Sequence, residues 1–131
     1  MNPDQDQLAA RLRRALAGRG ALREVRMFGG LACMLDDRMV ASAQRDGSLL
    51  IRVDEGRHEE LLRIPGARQA EMGTGRTMGP GWILVAPSEV AGDGGVERWL
   101  APALERHEAE SLRRKAAPDP TVSVAPDSLG A

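Results

Sequence analysis

The feature that most constrains this chain is a change of hydrophobic period at Gly18 and Gly20. Before those glycines Leu8, Leu12 and Leu16 recur every four residues, with Ala9 and Ala15 beside them and Arg11, Arg13 and Arg14 on the remaining surface. That spacing predicts a helix with one buried face. Asn2 as a cap, Pro3 at the first helical position and Gln5 placed to reach back predict its start. The two glycines predict its end, because Gly enters a left-handed turn without a Cβ penalty. Across residues 22–53 the period becomes two, and short apolar segments alternate with turn residues. This pattern predicts an antiparallel meander of three or four strands.

The turns of that meander are legible. Asp36-Asp37-Arg38 reverses the chain after the segment Leu31 to Leu35, and Arg45-Asp46-Gly47-Ser48 makes the next hairpin, where Asp-Gly supplies positive φ angles. Leu49, Ile51 and Val53 are expected to face the core, with Leu50 and Arg52 on the other side. Asp54 is placed to cap a helix over about residues 55–63, which Pro65-Gly66 stops. Residues 67–85 hold two weaker strand candidates separated by Gly73-Thr74-Gly75. Trp82-Ile83-Leu84-Val85 is the stronger, and Pro87 closes it. Asp93 can cap a last helix in which Val96, Trp99, Leu100, Ala103 and Leu104 keep helical spacing, and Pro102 is expected to kink or split that helix. From residue 116 onward Pro118, Pro120 and Pro126 stand among Ser, Asp and Gly with no apolar period. The organisation predicted is one domain over residues 1–115 and a disordered tail over 116–131.

Composition narrows the function classes. A chain of 131 residues with 42% apolar content suits one core. With 18 basic against 19 acidic residues no strong field draws it to nucleic acid or to an anionic membrane. Cys33 is the only cysteine, so neither an intrachain disulfide nor a multi-cysteine metal site can form, and a reducing cytoplasm is the expected setting. No apolar run approaches the roughly 18 to 20 residues of a membrane span.

Sites of known chemistry fail on spacing. His58-Glu59-Glu60-Leu61-Leu62 begins like a zinc-protease helix but has Leu where the second His must stand. Gly73-Thr74-Gly75-Arg76-Thr77-Met78-Gly79 touches a dinucleotide fingerprint yet precedes a strand, whereas pyrophosphate needs a helix N-terminus there. Cys33 shares a face with Leu31 and Leu35, which predicts a buried, inert thiol and no nucleophile. His107, among Glu105, Glu108 and Glu110, is expected to face solvent. No catalytic, metal-binding or cofactor-binding residue is therefore nominated, and no cofactor is expected. The basic residues Arg11, Arg13, Arg14, Arg19, Arg23 and Arg26 gather early in the chain and could meet phosphates. Only three aromatics, Phe28, Trp82 and Trp99, are present to stack on bases, so nucleic acid is the disfavoured reading. An Arg-lined small-molecule or enzyme pocket near Arg26, Phe28, Arg52 and Arg76 is a third reading.

Three motifs carry a resemblance. Arg26-Met27-Phe28-Gly29-Gly30-Leu31, Leu49-Leu50-Ile51-Arg52-Val53-Asp54 and Met78 through Trp82 to Pro87 resemble segments of the TfoX amino-terminal domain family, also called TfoX/Sxy. Trp99 and Leu104 fit its closing helix. The resemblance implies a two-layer α+β fold of the secretion-chaperone-like kind, with an antiparallel sheet, helices on one face and the order α-β(3-4)-α-β(2)-α. It also implies homodimers. Competence regulators of the family carry a second, helical domain where this chain runs into its Pro-containing tail. The expectation is thus a stand-alone bacterial module, noncatalytic and homodimeric, with a further protein partner unidentified. Its candidate functional or motif residues are Arg26, Met27, Phe28, Gly29, Gly30, Arg52, Arg76, Met78 and Trp82. Phe28 is expected to plug the space beside the Gly pair, and Arg52 to bind an anion with Arg26 or Arg76 or to pair with Glu24.

Overall fold

A computed structural model describes residues 3–27, 30–71, 77–92 and 94–116. The expectations for Asn2, Phe28, Gly29, Gly73-Thr74-Gly75, Arg76, Asp93 and residues 117–131 lie outside those residues. The elements in order are α1 (Pro3–Leu16), β1 (Leu22–Met27), β2 (Gly30–Leu35), β3 (Arg38–Gln44), β4 (Leu49–Arg52), α2 (His58–Leu62), β5 (Ala67–Gln69), β6 (Trp82–Val85), α3 (Pro87–Val90) and α4 (Gly95–Ala116). A single 3-10 turn, Glu55–Arg57, leads into α2, and the Asp54 carboxylate accepts from the Gly56 N–H to cap it. The strands form one six-stranded sheet in the order β1-β2-β3-β4-β6-β5. Every neighbouring pair is antiparallel. The architecture is the two-layer α+β arrangement expected, with the meander taking four strands.

The helices supply one layer. Leu8, Leu12 and Leu16 of α1 and Val96, Trp99, Leu100 and Ala103 of α4 pack with Cys33, Leu35, Ala43, Leu49, Ile51, Ile83 and Val85 of the sheet in one buried cluster. The β2–β3 hairpin turns through Asp36 and Asp37, both at positive φ (52° and 66°), the geometry of a tight hairpin whose twist matches its strands. A bulge follows. Cys33 pairs with Ala41 but its neighbour Met34 pairs with Met39, so Val40 is an extra residue in β3. Val40 and Ala41 both enter the helix-side core while Met39 turns to the opposite face.

Three expectations need correction. Pro102 does not split the last helix, which runs from Gly95 to Ala116. The burial of Leu100, Pro102 and Ala103 outweighs the roughly 3 kcal/mol that an interior proline costs. Pro87 does more than close β6, since it stands at the start of α3, where its missing N–H is not needed. The Gln5 amide donates to the Ala43 carbonyl at 2.8 Å and ties α1 to β3. His107 is buried, because α4 carries it to the β2–β3 turn, where its Nε2 lies 3.1 Å from Asp36 and Arg38 donates to the neighbouring Ser111 hydroxyl at 2.6 Å. The Asp36 carboxyl is held below its ordinary range, first by the Ala21 backbone N–H and then by His107.

Candidate functional site

The two faces of the sheet differ in what covers them. On the face away from the core, Ala32, Met39, Leu50 and Ala70 form a second buried cluster, with Met27, Met34, Met78, Trp82 and Leu84 packed against it half-buried. No described helix contributes to this cluster. The face is apolar because β4 and β6 are apolar at consecutive positions, as in Leu49-Leu50-Ile51 and Trp82-Ile83-Leu84-Val85. Unbroken runs of this kind mark strands covered on both sides.

The nominated residues divide between the faces. Met27, Met78 and Trp82 meet in the helix-free cluster although 55 positions separate the first from the last (82 − 27). Arg52 joins them, since it is the cross-strand neighbour of Trp82 and its guanidinium carbon lies 5.0 Å from the ring centroid. Burial lowers the Arg52 pKa from its ordinary value and the nearby Arg106 adds to the effect; the group remains a cation, held on an aromatic face. Among the described residues no carboxylate lies within ion-pair distance of Arg52. Glu24 pairs with Arg13 of α1. Arg26 faces the helix side, opposite Leu31 on the edge strand, so it and Arg52 cannot share an anion.

Gly30 has a steric reason to be glycine. A Cβ there would stand 2.5 Å from the Ser42 hydroxyl oxygen and 2.8 Å from the Ala43 carbonyl oxygen. The β1–β2 junction therefore packs directly onto β3, as the Gly pair predicts for its second member.

The segment that presents Met78 and Trp82 is fixed from the helix side. His58 is buried at the start of α2, and its Nδ1 accepts the Gly81 backbone N–H at 2.8 Å. The ring proton must then sit on Nε2, which donates to the Gln69 side-chain oxygen at 2.8 Å. The Gln69 amide in turn donates to the carbonyls of Gly79 at 2.9 Å and Trp82 at 3.3 Å. Gly81 and Gly79 hold φ of 92° and 94°, and a Cβ on Gly81 would meet the Val53 carbonyl oxygen at 2.9 Å. The stretch between Met78 and Trp82 is thus a glycine-built turn pinned by a histidine.

The remaining reactive groups have structural occupations. Cys33 is buried, and burial, reinforced by Glu24, pushes its thiol up to about 11, so it stays protonated at neutral pH. The early arginines are dispersed. Arg11 donates to the carbonyls of Val90 and Gly92 at the end of α3, Arg13 pairs with Glu24 and Arg23 with Asp37. Among the described residues no group of three His, Cys, Asp or Glu side chains could hold a metal ion, and no helix is long and apolar enough to cross a membrane.

Sequence reasoning missed Met34, Met39, Leu50 and Leu84 as members of the site. The signal was present in the doubly apolar strands, since alternation alone would have placed polar residues there. No curated protein matches the chain. The model of the TfoX N-terminal domain matches residues 5–107, which is most of the 131 positions. The helix-first order, the four-strand meander and the returning Trp82 strand lie within that match, and the chain belongs to the TfoX N-terminal domain family.

Proposed function

We infer that this TfoX N-terminal-domain protein is a noncatalytic, cytoplasmic bacterial module of regulatory character. It works through protein contacts, and a second copy of itself is the first partner, docked on the helix-free face. The single observation that carries the reading is the composition of that face. Four of the six methionines, Met27, Met34, Met39 and Met78, lie on it with Leu84 and the Arg52–Trp82 stack, and this mixture suits recognition. Methionine repacks against irregular surfaces, while Trp and Arg are the residue types that dominate binding energy at interface centres. The lone thiol and both imidazoles being committed to burial or to hydrogen bonds supports a noncatalytic role.

Sedimentation velocity over a range of protein concentrations tests the proposal. A dimer is expected at micromolar concentration, with an interface near the roughly 800 Å² per partner typical of stable complexes. Leu84→Lys combined with Met34→Lys is expected to give a folded monomer with unchanged circular dichroism. A wild-type protein that stays monomeric at every concentration, or a dimer indifferent to both lysines, overturns it.

A further inference from the structure

A second feature lies on the helix side, away from the face discussed above. A groove of about 730 Å³ opens between α2, the turn after it and α4. Leu61, Trp99 and Pro102 make its buried floor, Ala101 stands exposed on its wall, and Ile64, at 41% exposure, forms an apolar lip. This volume falls within the range of pockets that hold a drug-sized molecule.

Two properties of the groove select a ligand. The first is that the charges on its rim cancel in pairs, Arg57 with Glu105 and Arg98 with Glu89. A charged ligand would have to compete with those pairs, so the groove favours a neutral one. The second property is Trp99. Only 2% of this residue is exposed, and its indole N–H is buried without a hydrogen-bond partner among the described residues. The indole nitrogen can only donate, and a buried donor left unbonded is costly and rare in folded proteins. An apolar floor that carries one unanswered donor calls for an apolar molecule that carries one acceptor. Water does not reach the nitrogen, so bonding it takes a side-chain shift in the groove wall. Exposed side chains such as Ile64 at the lip change rotamer on the picosecond to nanosecond scale and can supply that shift.

We propose that this groove binds a neutral, mainly apolar small molecule carrying one hydrogen-bond acceptor, such as an aromatic ketone, whose carbonyl oxygen accepts from the Trp99 indole N–H. The dimer contact inferred above is on the other face of the sheet, so the two readings stand or fall separately.

The test titrates the full-length chain, labelled with nitrogen-15 at tryptophan, with benzophenone, a neutral two-ring ketone, and with diphenylmethane, which has the same two rings and no acceptor. Trp82→Phe assigns the two indole N–H resonances. Benzophenone is expected to saturate one site per chain and to move the Trp99 indole proton downfield, the direction of a new hydrogen bond, whereas diphenylmethane gives no downfield shift. Equilibrium dialysis supplies the affinities. Ala101→Leu changes an exposed helical position to another good helix former, narrows the groove and should weaken benzophenone binding about tenfold. Trp99→Phe keeps an aromatic body and removes the donor, so the affinity ratio of ketone to hydrocarbon should fall about tenfold from its wild-type value. Comparing ratios cancels the different affinities of the two probes for water. The proposal is overturned by binding that does not saturate, by a downfield shift at Trp82 instead of Trp99, by equal benzophenone affinity in Ala101→Leu, or by a ratio that Trp99→Phe leaves unchanged. If Trp99→Phe does not fold, the indole shift and Ala101→Leu decide the question without it.

Discussion

The two faces of this sheet are built from the same strands and often from adjacent residues, yet they solve different problems. Ile83 is fully buried beneath the helices, while Leu84, its neighbour in β6, is half-buried on the helix-free side. The covered face uses Leu, Ile, Val and one Trp, side chains of defined shape that fill a fixed volume. The other face uses methionines and a cation stacked on an indole, groups that tolerate more than one partner geometry. A core selects for one arrangement, whereas a contact surface must also suit a partner that comes and goes.

The largest effect expected is on the covered face. Ile83→Ala should destabilise the fold by about 3 kcal/mol, the range for a buried branched aliphatic that leaves a cavity. Leu84→Ala should cost about 1 kcal/mol in dilute protein, because part of its surface is already solvated. Urea unfolding of both variants checks the pair. Equal costs at low concentration would break the comparison. A Leu84→Ala cost that grows with protein concentration would sharpen it, since association stabilises by mass action.

A second test concerns the thiol beneath the helices. Cys33 has a folded pKa raised from 9.0 to about 11, so the folded state holds the proton more tightly than the unfolded chain. The sign follows from linkage: this stability is fully present below pH 9 and is lost as pH rises toward 11, a change of about 2 to 3 kcal/mol. The window is unusually clean, because the chain has no tyrosine and a single lysine, Lys115. Unfolding free energies measured between pH 8 and pH 11 should fall in the wild type and stay nearly level in Cys33→Ala. A wild-type curve as flat as the variant's would mean that the covered face is wetter than its packing implies.

How far these faces could be read from the chain alone depends on the range of the interactions. Period and turn chemistry are local, so α1, the meander, β6 and the closing helix are legible at once. Leu50 and Arg52 are likewise legible as facing away from Leu49 and Ile51. The bulge at Val40 is not, because it answers to the packing of β3 against β2. The burial of His107 is hidden by a charged helical neighbourhood, its partners Asp36 and Arg38 being about 70 positions away. The four-residue α3 is too short to display a period. Within the site, Met27, Arg52, Met78 and Trp82 are found through motif resemblance. Their assembly on one face follows only from a sheet order that places β6 between β4 and β5.

Gly30 offers a third, smaller test, at the point where the β1–β2 junction packs onto β3. Gly30→Ala should cost about 1 to 3 kcal/mol, the usual range for overpacking. Adding Ser42→Gly should recover only part of the loss, because the Ala43 carbonyl oxygen would still stand 2.8 Å from the new methyl. Full recovery would assign the constraint to a side chain alone and would make the junction softer than the register suggests.

The smallest effect expected is the coupling between Arg52 and Trp82, and it bears most directly on what the helix-free face is for. A double-mutant cycle of Arg52→Ala and Trp82→Leu, carried out in the combined Leu84→Lys and Met34→Lys background expected to be monomeric, should give about 0.5 to 1 kcal/mol, as for a partly solvated cation over an indole. Measured through dimer dissociation in the wild-type background, the same cycle should give more, because a partner removes the water that now weakens the pair. A coupling in the monomer above about 2 kcal/mol would mean that the stack is already desolvated and structural, and the distinction between a filled face and a waiting one would fail. A larger coupling in the dimer than in the monomer places the Arg52–Trp82 pair at the centre of the contact.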